Sequence, residues 1–140
     1  MNAHKWLSQV RMLDELINAK LAEREQLNDL ATDISAKPIS GMPHSNTGIV
    51  PQTMQNAVIK IVMLSDEIDK LVDKYVDLKR KVNDVLEQLP ANEYGVLHRY
   101  YIRYMTLEEI AEDMGYSVRQ VCRIKKKSLK KLENVIECHY

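Results

Sequence analysis

Hydrophobic positions along the chain fall into four stretches with different rhythms. From Ala3 to about Asp33, Trp6, Val10, Leu13 and Ile17 recur at spacings of 4, 3 and 4, one face of a helix. Lys20 and Arg24 then interrupt the stripe, while Leu16, Leu21, Leu27 and Leu30 widen it. The pattern predicts one long helix with an imperfect seam. From Ile34 to Val50, Pro38, Gly41, Pro43, Ser45, Asn46, Thr47 and Gly48 crowd together, the composition of a loop.

The third stretch opens at Pro51, a residue suited to a first helical turn. Ala57, Ile61, Leu64, Ile68, Leu71, Tyr75, Leu78, Val82, Val85 and Leu89 follow with unbroken 4-3 spacing, which predicts a coiled-coil-like helix. Val58, Val72 and Leu86 fall beside that stripe, so it is wider than a two-helix seam requires. The first helix folded back is one neighbour for it, and a second copy of the hairpin is another, which predicts a homodimer through the long helices. Leu89-Pro90 ends or kinks the long helix. Asn92 is placed to cap a new one, on which Tyr94, Leu97, Tyr101 and Tyr104 share a face. The expected fold is all-α: a long antiparallel helical hairpin over 1–89 with a loop at 34–50, then a helix-turn-helix domain over 90–140.

Charge sharpens this division. The 140 residues are neutral in sum, but 11 basic and 14 acidic residues lie in 1–98, against 9 and 6 in 99–140. Gly115 to Leu132 holds seven basic residues and no acidic one. One end is expected to meet an anion.

The same end carries the local signals of a helix-turn-helix. Thr106 with Glu109 and Ser117 with Gln120 are two helix-start pairs, and Gly115 between them suits a left-handed helix stop. Leu107, Ile110, Ala111 and Met114 form one apolar face, with Ala111 small where two helices would approach. On the second helix Val121, Ile124, Leu129, Leu132 and Ile136 point inward. Ser117 to Arg123, including Val118, Arg119, Gln120 and Cys122, form the end expected in a major groove of double-stranded DNA. There Arg pairs with guanine and Gln with adenine. Lys126, Lys127, Lys130 and Lys131 are expected on phosphates, which position without reading sequence. Thr106 completes the DNA-facing set.

Leu89-Pro90-x-x-Glu93-x-x-Val96-Leu97-x-Arg99-Tyr100, followed by Thr106–Leu132, resembles region 4 of sigma-70-type factors. That resemblance implies a helix-turn-helix that reads a promoter element. Carried on a helical hairpin, it is similar to small phage-encoded regulators of the ArpU and RinA kind, which implies activation of late phage genes and RNA polymerase as a further partner. By position, the DNA-facing sites of the family fall on Val118, Arg119, Cys122 and Arg123. Val118 and Cys122 depart from the polar residues usual there; Val118 suits a thymine methyl.

Other chemistries find little support. His4, His44, His98 and His139 are scattered, and Cys138-His139 lacks partners at zinc-site spacing. No phosphate loop, dinucleotide turn or nucleophile–base set is present, so no enzyme, cofactor or metal is expected. Two cysteines far apart and no signal-like start predict reduced thiols in a bacterial host cytoplasm. The longest apolar run, Ile61–Leu64, is too short for a membrane span. Two alternatives use the same features: a DNA-packaging recognition subunit of the small-terminase kind, and a coiled-coil adaptor that binds protein only.

Overall fold

The computed structural model describes residues 2–36 and 52–139, with the side chains of 33–36, 53 and 139 left aside. The described residues are helical, with no strand among them. Helix α1 spans Ala3–Ala36 and α2 spans Gln52–Leu86. Helix α3 spans Ala91–Leu97 and runs into a π-helical turn at His98–Ile102. Helices α4, Leu107–Met114, and α5, Val118–His139, complete the chain. The expected all-α fold, long paired helices before a helix-turn-helix, is therefore present. Helix α1 continues through residues 34–36, where a loop was expected. The rest of that loop, and Pro51, lie outside the described residues.

The chain forms two compact units, Leu16–Val72 and Met1–Glu15 with Asp73–Tyr140. In Leu16–Val72, α1 and α2 lie antiparallel. Ile17, Ala57, Leu64 and Ile68 are buried there, three of them on the predicted α2 stripe. Lys20, which interrupts the α1 stripe, donates to Glu67 at 2.9 Å. That hydrogen bond, and the carboxylate charge behind it, raise the lysine pKa. Val58, Ile59, Val62 and Met63 stay exposed on two successive turns of α2.

The other unit is cut differently from the expected division at residue 90. Its main core joins Trp6, Leu7 and Val10 of α1, Val82, Val85 and Leu86 of α2, Leu97, Tyr101, and Leu132 and Ile136 of α5. The physical reason is that α3 and α5 each have an apolar face of their own, which a helix-turn-helix alone would leave wet. The first turns of α1 and last turns of α2 cover it. A second cluster, Val96, Ile110, Ala111 and Val121, with Leu107, Met114 and Ile124 packed against it, holds α4 onto α5.

Two helix boundaries differ from expectation. Helix α2 stops at Leu86, short of Leu89, and closes with tight bonds from Gln88 N to Val85 O and from Leu89 N to Leu86 O. Pro90 explains this, because the residue before a proline is pushed out of helical geometry. Helix α3 then starts at Ala91 with Pro90, not Asn92, as the capping residue and no side-chain cap. Farther on, Arg103 N reaches back five residues to His98 O at 3.1 Å, and the wider turn ends the element. Tyr104 follows at φ 57°, the only non-glycine residue with positive φ among the described residues. Left-handed backbone costs an L-residue about 1–2 kcal/mol.

Within the same unit His98 stacks on Tyr94, ring centres 5.3 Å apart. Burial lowers its pKa below the usual 6.5, aided by Arg103, Arg99 and Lys79. The unfolded chain therefore takes up the proton first, so stability is full above pH 6.5 and falls as pH drops through that value. His98→Gln should flatten the decline in Tm between about pH 7 and pH 5, measured against the unaltered protein in the same buffers. Leu7→Ala should cost about 2–5 kcal/mol and should also speed amide hydrogen exchange around Leu132–Ile136. Unchanged exchange there would mean that α1 does not support α5.

Candidate nucleic-acid interface

Two adjacent caps fix the geometry of the C-terminal helix pair. Thr106 Oγ1 accepts from Glu109 N at 3.2 Å and starts α4. Gly115, at φ 72° and ψ 27°, ends it with a left-handed turn. A Cβ at Gly115 would meet nothing within 4 Å, so the glycine is required by its backbone conformation alone. Ser117 Oγ then accepts from Gln120 N at 3.2 Å and starts α5. Both sequence-predicted caps thus exist, with two residues between Met114 and Ser117 making the turn. Ala111 and Val121 are buried where α4 meets α5. Arg99, in the π-helical turn, ties α4 to α3: its Nε donates to Asp113 Oδ2 at 2.6 Å and its guanidinium also donates to Gly95 O at 3.1 Å.

Along α5, Arg119, Gln120, Arg123, Lys126, Lys127 and Lys130 are all exposed. Their spacing places them on one face, opposite Val121, Ser128 and Leu132. None of the five cations among them is held in an ion pair with the described residues. Val118 is exposed at the leading turn and Cys122 is half-buried. Both cysteines are free. Thr106 and Ser117 are exposed, but their hydroxyl oxygens already accept the capping bonds. The surface is convex, cationic and polar, with an apolar residue at its tip. It suits a polyanion presenting a groove rather than a small molecule in a cavity.

Lys131 departs from the expected phosphate set. Its ammonium donates to Glu93 Oε1 at 2.8 Å, and the Glu93 side chain is only 5% exposed against 44% for Lys131. A buried carboxylate needs a counter-charge, so Lys131 ties α5 to α3. Glu93 was missing from the expected site. Its position three and four residues before Val96 and Leu97, on the face those residues bury, is the signal that marks it. Lys125 also turns inward, its ammonium 3.8 Å from the Tyr100 ring centre. Its helical phase opposite Arg123 and Lys127 anticipates this. The basic run therefore divides into five cations without an ion pair among the described residues and two internal braces. Ser128, buried within the same helix, donates its hydroxyl to Ile124 O at 2.6 Å and so leaves no unpaired donor in the packed face.

With this geometry established, residues 85–134 match the family model described as Sigma-70, region 4. The matched segment runs from the end of α2 into α5, about a third of the chain. That region is a DNA-binding helix-turn-helix. No curated protein and no solved structure matches the chain. Among the described residues no helix is long and apolar enough to cross a membrane.

Neighbouring lysines should now separate in experiment. Lys131→Ala should lower stability by about 2–3 kcal/mol, because it strands the Glu93 carboxylate. Lys130→Ala should stay within about 0.5 kcal/mol. Equal losses in thermal unfolding would contradict the brace assigned to Lys131.

Proposed function

We propose that this protein is a sequence-specific, double-stranded DNA-binding transcription regulator, a phage-encoded activator of late genes acting in the cytoplasm of a bacterial host. The observation that carries the reading is the α5 face itself: five exposed cations and Gln120 on one side of a capped helix, in the segment that matches sigma-70 region 4. Arg119, Gln120 and Arg123 read base edges, with Val118 against a thymine methyl. Lys126, Lys127 and Lys130 hold phosphates. The protein works by binding, not catalysis, and RNA polymerase is its second partner, as the likeness to a polymerase specificity region suggests. A homodimer through the long helices accounts for the exposed Val58, Ile59, Val62 and Met63, since a soluble monomer gains nothing from such a surface.

Selection of preferred sites from a random double-stranded pool tests this directly. An enriched motif that also occurs upstream of late genes in the source genome is the expected result. Arg123→Ala should relax preference at one position of that motif. Lys130→Ala should weaken binding to all sequences and reduce the salt slope by about 0.9. Absence of any enriched motif would reject sequence-specific regulation. A mass in solution corresponding to a ring of many subunits would favour a role in DNA packaging.

A further inference from the structure

Tyr104 sits at the junction between the π-turn and the Thr106 cap that starts α4. Its backbone is left-handed, a conformation that glycine or asparagine adopts more readily. A tyrosine persists there only if its surroundings hold it. Arg11 of α1 places its guanidinium 5.5 Å from the ring centre. The hydroxyl is buried without a hydrogen bond of ordinary geometry. Burial raises its pKa, and polar interactions with Asp14 of α1 and Tyr75 of α2 push the same way. One side chain thus meets α1, while its backbone leads directly into the helix-turn-helix. All of these residues belong to one compact unit.

We infer that Tyr104 is a positioning residue: its ring, under the Arg11 guanidinium, fixes the orientation of α4 against the start of α1. The unfavourable backbone is retained because a residue more at home there would have no ring to hold. The link from orientation to DNA affinity rests on the function proposed above; the orientation itself does not.

The full-length chain tests this by NMR. Residual dipolar couplings from α4 and from α1 up to Glu15 should fit one alignment tensor in the unaltered protein. Tyr104→Gly and Tyr104→Asn keep the left-handed turn but remove the ring. Relief of backbone strain offsets part of the lost contact, so Tm should move by less than about 4 °C. The two sets of couplings should nevertheless require separate tensors. Tyr104→Phe keeps the ring and should keep one tensor. Arg11→Gln alters only the partner and should loosen the orientation as the glycine variant does. DNA affinity should fall at least about tenfold in the glycine variant and stay near normal in the phenylalanine variant. A single shared tensor in Tyr104→Gly overturns the inference. So does loss of cooperative unfolding in that variant, which would make the ring ordinary core. A separated tensor with no DNA binding by any form, the unaltered protein included, would leave Tyr104 confirmed and reject the proposed function.

Discussion

The C-terminal helices depend on apolar surface that lies far away in the chain. Leu132 and Ile136 of α5 are fully buried only because Trp6, Leu7 and Val10 come from one end and Val82, Val85 and Leu86 from the middle. At about 25 cal/mol per Å² of apolar area, such burial outweighs any single polar contact in the unit. The caps at Thr106 and Ser117 decide where α4 and α5 begin, but not what α5 rests on. The long helices are therefore a structural floor for the cationic face as well as a carrier.

Polar contacts inside this unit correct for what the apolar core leaves over. Glu93 lies among buried residues and would be an uncompensated charge without Lys131. Lys125 places its ammonium against Tyr100, whose aromatic face accepts a cation. His4 Nδ1 lies 2.7 Å from the Tyr101 hydroxyl, whose pKa burial pushes well up, so that phenol stays protonated. Each contact joins residues remote in sequence; the first two hold α5, which presents the exposed cations, and the third ties α1 to the π-helical turn.

Legibility in the sequence followed the range of the interaction. The 4-3 repeat of α2 and the two caps are local, so periodicity and spacing revealed them. The Gly115 turn was legible for the same reason, because only a few residue types adopt its backbone comfortably. The seat of α1 on the C-terminal core was not, since the Trp6–Ile17 stripe says that a partner exists and not which one. Lys131 and Lys125 read as two more members of a basic run. Only a carboxylate 38 residues away sets Lys131 apart, whereas the helical phase of Lys125 already turns it toward the ring it meets. Tyr104 was least legible: a tyrosine argues against a left-handed turn, and tertiary contacts overrule that preference.

The length of α5 gives its buried end a leverage of its own. Val118 and Leu132 are 14 residues apart on one rigid rod, or about 21 Å at 1.5 Å per residue. A tilt of about 5° at the Leu132 seat would swing the leading turn by about 2 Å, more than a hydrogen bond tolerates. A methylene gained or lost beside Leu7 or Val85 could thus re-aim Arg119 and Arg123 while leaving both side chains untouched. Drift in the hydrophobic core is then a route by which related chains could change what they recognise without altering a single exposed residue.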